Sequence, residues 1–298
     1  MRAELTEAAA LLREKDAESV GKAIGLLQDT VFAFSMKVCG HREDAQDTMQ
    51  EVLMRSLPHL GKIDDSRALS VWLYTVAKNR CFRMRRKGVH APRHTLSLDE
   101  LMPGEADLER LLRDGGAGPE EQLLAGEQDR MVHHAVQTLT AEYRIVLVLH
   151  DMEDLDTEQV ARVLGLQPGT VRVRLHRARL GVRKAMARLL EGLPEAAVSS
   201  GKGKKARRRK EAPTRPEDCR EVFASLSDLL DNQLPEPECA QMRKHIDACP
   251  ACVAFLRDLQ TAINRCRNLE IPCDSDMAPR LRTLLVTEYL RLIHQPVG

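Results

Sequence analysis

Residues 157–188, TEQVARVLGLQPGTVRVRLHRARLGVRKAMAR, decide how the rest of this chain is read. Thr157 is placed to cap a first helix whose inner face carries Val160, Ala161 and Leu164. Gly165 suits the left-handed position that ends such a helix, and Pro168 suits the first turn of the next. Two helices joined by so short a glycine-containing turn form a helix-turn-helix. The second helix carries Arg172, Arg174, Arg177, Arg179, Arg183, Lys184 and Arg188, with no acid between Thr170 and Arg188. Without acidic neighbours to pair with, these charges require an anionic partner from outside the helix. The major groove of DNA admits such a helix, its N-terminal residues against the bases and its later arginines against phosphates.

Upstream, apolar residues recur at three- and four-residue spacing from about Val20 to Lys87, the rhythm of packed amphipathic helices. Residues 71–87, VWLYTVAKNRCFRMRRK, interleave Lys78, Arg80, Arg83, Arg85, Arg86 and Lys87 with Trp72, Tyr74 and Phe82. Basic groups attract a strand and aromatics stack on unpaired bases, a combination suited to single-stranded or melting DNA. Trp72 and Tyr74 fit a helical core equally well. No alternating strand pattern of any length appears, so the expected fold class is all-α.

Between and beyond these blocks the composition changes. Residues 91–126 hold 3 basic and 8 acidic groups, with Pro92, Pro103, Gly115, Gly116, Gly118 and Pro119, and read as a flexible acidic linker. Helical rhythm fills 127–192. Residues 193–215 carry 8 basic and 2 acidic groups among Gly, Ser and Pro, and read as a basic flexible tether. Its KGKKARRRK run, 202–210, is either a contact to nucleic acid or protein or a solvated face. The last segment, 216–298, is acidic, with 13 acids against 9 bases. It divides into a small unit, 216–270, and a tail, 271–298, in which Leu281, Leu284, Leu285, Leu290 and Ile293 form a helical stripe. The total charge of +1 over 298 residues therefore hides a charge-segregated chain, which implies electrostatic partners for particular segments. No run approaches the ~20 apolar residues of a membrane span, and charges interrupt the N-terminus where a signal peptide would need an apolar stretch. A cytoplasmic protein is expected, and one with no disulfide framework among its eight cysteines.

Cys219, His245, Cys249 and Cys252 form a C-x25-H-x3-C-x2-C pattern. Three thiolates and one imidazole make a closed tetrahedral zinc set, one Zn2+ per chain, able to stabilise a unit of ~50 residues with little core of its own. Closure by four protein ligands leaves no open metal position, so no enzyme is expected. Cys239 competes with Cys219 as the first ligand, and the CPAC stretch also suits a redox pair, although no βαβ context surrounds it. Cys39 and Cys81 sit among apolar helical positions as buried fillers. Cys266 and Cys273 have no partner in a ligand pattern.

Two blocks resemble bacterial RNA polymerase sigma factors of the extracytoplasmic-function type. HREDAQDTMQEVLMRSLPHL (residues 41–60) and VWLYTVAKNR (71–80) are similar to sigma region 2; LTAEYRIVLVLHDMEDLDTEQVARVLGLQPGTVRVRLHRARLGVRKAM (139–186) is similar to region 4. The resemblance implies that 1–90 binds polymerase and the minus-ten element and that 127–192 carries the minus-thirty-five reader. Asp44, Asp47, Gln50 and Glu51 fall where the family grips the coiled coil of the beta-prime subunit. Trp72, Lys78, Asn79 and Arg80 fall where it melts and reads the minus-ten element. Thr170, Arg172, Val173, His176 and Arg177 fall on its base-facing side, with the beta flap as the second polymerase contact of region 4. The linker lies where the family threads a polyanionic segment toward the polymerase active centre. Arg83 departs from an often acidic position, and Val173 from a small hydroxyl residue. DACPACVAFL and the metal spacing are similar to the zinc-binding anti-sigma domains that silence such factors. A dissociable specificity subunit is implied, its fused C-terminal domain docking intramolecularly on regions 2 and 4. The rival expectation is a polymerase-independent helix-turn-helix regulator with a zinc or thiol sensor.

Overall fold

The computed structural model describes residues 3–63, 65–85, 97–113, 125–191, 217–273 and 278–294. Among these residues every regular element is helical. In chain order they are α1 (Ala3–Glu14), α2 (Ala17–Cys39), α3 (Arg42–Leu60), α4 (Ser66–Arg85), α5 (Leu98–Leu101), α6 (Glu105–Arg113) and α7 (Ala125–Thr138). There follow α8 (Ala141–Leu147), α9 (Thr157–Leu164), α10 (Pro168–Leu190), α11 (Glu217–Leu230), α12 (Glu236–Ala248), α13 (Pro250–Arg267) and α14 (Ala278–His294). A π-helical turn, Val148–Met152, continues α8. No described helix is long and apolar enough to cross a membrane.

The chain forms two compact units, and their composition cuts across the segments expected from sequence. The first gathers residues 1–91, 148–171 and 270–298. Its centre is α2, which buries Val20, Ile24, Leu27, Val31, Phe34 and Val38. Asp16 starts this helix by accepting the Glu18 and Ser19 amides, and Gly40, at φ 79°, ends it in the left-handed region where a Cβ is penalised. α1, α3, α4 and α14 pack around it. Tyr74 is fully buried and its ring lies 4.9 Å from that of Phe34, so of its two expected places it takes the core. Its hydroxyl donates to Glu153 at 2.6 Å, and Lys37 donates to the other oxygen of the same carboxylate at 2.9 Å. Both ends of that ion pair are 1% exposed, so the π turn is pinned to α2 and α4 through a fully paired buried network.

On the tail, the apolar stripe is rotated from its expected position. Leu284 is 56% exposed, whereas Leu285 and Tyr289 are buried. The helix approaches closely because glycine faces it: a Cβ on Gly61 would stand 3.3 Å from Ile293, and one on Gly25 would stand 3.3 Å from the Arg282 guanidinium.

The second unit gathers residues 92–147 and 172–269. Its apolar cluster joins Val222, Phe223 and Leu226 of α11, Ile246 of α12, and Phe255, Leu259 and Ile263 of α13. Phe223 and Phe255 meet edge to face with centroids 4.9 Å apart. Leu101 and Leu111, from the segment expected to be a flexible linker, belong to the same cluster. Residues 98–101 and 105–113 are thus helical and packed, because the leucines of LDEL and EADLERLLR bury one face, while a Ser97–Glu100 capping box starts α5. The expected tether, 193–215, lies outside the described residues.

Candidate metal centre and nucleic-acid interface

Cys219 sits in the first turn of α11, His245 in the last turn of α12, Cys249 between α12 and α13, and Cys252 in the first turn of α13. Pro250 opens α13, with Cys249 at its N-cap. The four ligand atoms lie within 4.8 Å of one another. His245 Nε2 is 3.4 Å from Cys219 Sγ and from Cys252 Sγ, and those sulfurs are 3.7 Å apart. A tetrahedral zinc site with its usual bond lengths has sulfur–sulfur edges of about 3.8 Å and sulfur–nitrogen edges of about 3.6 Å. The residues therefore fit a structural metal ion with no open position. Burial, then the adjoining sulfurs of Cys249 and Cys219, push the Cys252 thiol up, so without a cation its thiolate is disfavoured. Cys219 belongs to this group of converging ligand atoms and Cys239 does not, although both are 7% exposed and border the same apolar cluster.

The helix-turn-helix has the expected punctuation with one difference. Gly165 is left-handed at φ 66° and α10 begins at Pro168, but the cap of α9 is Asp156. Asp156 and Gln159 exchange side-chain and backbone hydrogen bonds in a capping box, which the threonine one residue later cannot make. Arg144 braces the base of the same fold: it is 1% exposed and donates to the carbonyls of Val136, Gln137 and Leu139.

Along α10 the basic side chains part into two groups. Thr170, Arg172 and Val173 are exposed, Val173 by 57%. Arg174 pairs with Glu142 at 3.0 Å, and Arg177 donates to the Tyr143 hydroxyl at 3.2 Å. The remaining face is covered. His176, 8% exposed, has its Nδ1 2.9 Å from Ser227 Oγ. Arg179 makes a bidentate pair with Asp231, at 2.8 and 2.9 Å. Arg183 meets Asp258 at 2.5 Å and Asp107 at 3.1 Å, with its guanidinium 4.9 Å over the Phe255 ring. Lys184 donates to the Glu100 carbonyl. The anionic partner required by an all-basic helix is thus supplied, on this face, by the chain's own Asp107 on α6, Asp231 just past α11 and Asp258 on α13. Burial, then the charges of Arg179 and Arg177, lower His176 to about 4. Burial works against the Asp107 carboxylate, but Arg183 and Arg110 hold it below the usual range.

In the first unit, α3 presents Asp47 exposed, and Asp44 and Gln50 half-buried. Glu51, a turn further on, faces α4 instead. Its carboxylate lies 2.7 Å from Arg80 Nε, 2.7 Å from Arg55 Nη2 and 3.6 Å from Arg83 Nη2. Beside it, a cavity of about 710 Å³ is lined by Arg55, His59, Trp72, Asn79, Phe82 and Arg83. The Trp72 and His59 rings stack at a tilt, 5.2 Å apart. Lys78 is drawn away from this cavity: it donates to the Val163 carbonyl at 2.9 Å, and burial lowers its pKa. Of the four expected minus-ten residues, Trp72 and Asn79 line the cavity, Arg80 reaches Glu51, and Lys78 is turned to Val163. Sequence reasoning missed Arg55, His59, Tyr143, Ser227, Asp231, Asp258 and Asp107. The net acidity of 216–298 was the only signal for the acids among them in that segment.

Comparison with known proteins bears on these sites directly. Residues 24–90 match the family Sigma-70 region 2, residues 129–180 match Sigma-70, region 4, and residues 219–252 match a zinc-finger family. The chain is 25% identical over 179 residues to the ECF RNA polymerase sigma factor SigW of Bacillus subtilis, covering 59% of this chain and 92% of that protein. It is 29% identical over 164 residues to the RNA polymerase sigma-H factor of Pseudomonas aeruginosa, covering 55% and 83%. With the ECF RNA polymerase sigma-E factor of Haemophilus influenzae it shares 27% over 186 residues, covering 60% and 94%.

Proposed function

We propose that this chain, a sigma factor of the extracytoplasmic-function type by its region 2, its region 4 and their order, is held inactive by its own C-terminal zinc module. In the active state it binds core RNA polymerase and directs promoter-specific initiation in the cytoplasm, as a dissociable subunit with no catalytic residue. Asp44, Asp47 and Gln50 offer an acidic helix face to the beta-prime coiled coil, and region 4 turns toward the beta flap. Trp72, Asn79 and Arg80 meet the minus-ten strand; Thr170, Arg172, Val173 and Arg177 meet the minus-thirty-five bases. Lys78 and His176 join their interfaces only after release from Val163 and Ser227. One zinc held by Cys219, His245, Cys249 and Cys252 ties α11, α12 and α13 together, and so sets Ser227, Asp231 and Asp258 in register with α10.

The observation that carries the inhibitory reading is the burial of Arg179 and Arg183 under Asp231, Asp258 and Asp107. These carboxylates take the places that backbone phosphates need. α14 adds a second cover, on α2 and α3, the helix of the polymerase-facing acids. A polymerase-independent regulator has no use for region 2 and gains no support from these contacts. The deciding experiment compares full-length protein with a chain ending at residue 215, each with core polymerase on a promoter library. Inhibition gives more promoter-specific transcript from the shorter chain. Less transcript from it makes the module a positive element and overturns the reading.

A further inference from the structure

Three guanidiniums converge on the single carboxylate of Glu51, a formal surplus of two positive charges at one point of the surface. Oε1 is shared between Arg55 and Arg83, and Oε2 faces Arg80. Arg55 and Arg83 are about half exposed, with side-chain accessibilities of 53% and 51%, and both also line the cavity with Trp72 and Asn79. The Arg80 contact is short yet badly aligned: its buried Nε–H finds no acceptor in hydrogen-bonding geometry. Glu51 balances one of the three guanidinium charges and leaves the Arg80 Nε–H unsatisfied, whereas a phosphodiester presents two free oxygens that planar guanidiniums bind in pairs.

We propose that Arg55, Arg80 and Arg83 form one phosphate site for a single DNA strand at the rim of the cavity, and that Glu51 is its built-in occupant, displaced when the strand binds. The proposal deepens the reading of region 2 as the minus-ten element and rests on it. The aromatic wall of Trp72 takes the adjoining base, which couples base entry to phosphate capture. Glu51 then keeps the free chain from binding strands indiscriminately, since each phosphate must first compete with an ion already in place. It acts as a positioning residue that also sets the affinity threshold.

The test uses the full chain without polymerase and a random-sequence single-stranded 12-mer, titrated by fluorescence anisotropy at several salt concentrations. Glu51→Gln keeps the size and removes the charge. It is expected to tighten binding roughly fivefold at low salt, the scale of losing a few exposed ion pairs. The salt slope should steepen by about 0.7 for the phosphate newly engaged. Glu43→Gln removes the same charge from the same helix outside the cluster and should stay within about twofold of the parent. Adding Arg80→Gln to Glu51→Gln should abolish the gain. Glu51→Asp, with its carboxylate drawn back, should fall between the parent and Glu51→Gln. A general loosening of the fold would survive the Arg80→Gln addition, so loss of the gain in the double variant separates the cluster from a structural side effect. The proposal is overturned if Glu51→Gln leaves affinity unchanged or weaker, or if Glu43→Gln tightens binding as much. Failure of the sigma reading is separate: parent chain with core polymerase would then show no promoter selection, whatever the 12-mer does.

Discussion

Lowering the pH should loosen the zinc module from α10 through one histidine. His176 is enclosed by α10 and α11, with Arg177 and Arg179 on its own helix and Ser227, Asp228 and Asp231 opposite. In the closed form its pKa is lowered to about 4 from an ordinary 6.5, because burial and two arginine charges oppose a third positive charge. Closing therefore has the full benefit of a neutral imidazole above pH 6.5. The benefit is lost progressively as pH falls toward 4, because the open form takes a proton that the closed form refuses. At pH 5.5, one unit below the open-form value and well above the closed one, the closed state is disfavoured roughly tenfold, on the order of 1 kcal/mol. Burial raises Asp228, which works in the opposite sense, so the informative comparison is with His176→Gln and not with a second pH alone. The glutamine keeps a partner for Ser227 and cannot titrate. Amide hydrogen exchange of α11, corrected for intrinsic rates, should show protection in the parent falling about tenfold further than in the variant between pH 7.5 and 5.5. Equal pH dependence in the two proteins would refute the assignment of the switch to His176.

Three further outcomes test the same architecture. Asp231→Asn removes the carboxylate that pairs with the buried Arg179, at a cost to closing of ~3 kcal/mol; promoter-specific transcription with core polymerase should rise, and unchanged transcript would count against the inhibitory contact. Cys252→Ser should drop zinc from one per chain to none by elemental analysis, with loss of helical circular dichroism as α11–α13 come apart. Removing 278–298 uncovers the seats of Leu285 and Tyr289, each worth ~2 kcal/mol of burial, and should raise affinity for core polymerase at least tenfold in a titration.

Local chemistry made much of this legible before any coordinates. Gly165 and Pro168 place the turn of the helix-turn-helix because a left-handed residue and a fixed φ are strictly local demands. That Cys219, His245, Cys249 and Cys252 come together was legible from residue identity and helical spacing, apart from the choice between Cys219 and Cys239. The Asp156–Gln159 capping box was written in the same stretch and overlooked in favour of Thr157. In the linker, averaging glycine and proline over 91–126 hid EADLERLLR, whose leucines have helical spacing once read alone. Long-range pairing left no such trace. Lys37 and Glu153 stand 116 residues apart, and nothing near either one announces the other. The same holds for Arg183 with Asp107 and Asp258: net acidity showed that a partner exists, not which carboxylates it uses.

The division of labour along α10 has an evolutionary consequence. On the proposed inhibitory reading, Arg179 and Arg183 answer to two partners, the chain's own acids and a DNA backbone that is the same at every promoter. Any change there must be matched in α11, in α13 and in the linker, so these positions should drift together or not at all. Thr170, Arg172 and Val173 stand outside that pact. They can be rewritten one at a time, and a descendant of this protein can acquire a new set of genes while keeping the old lock.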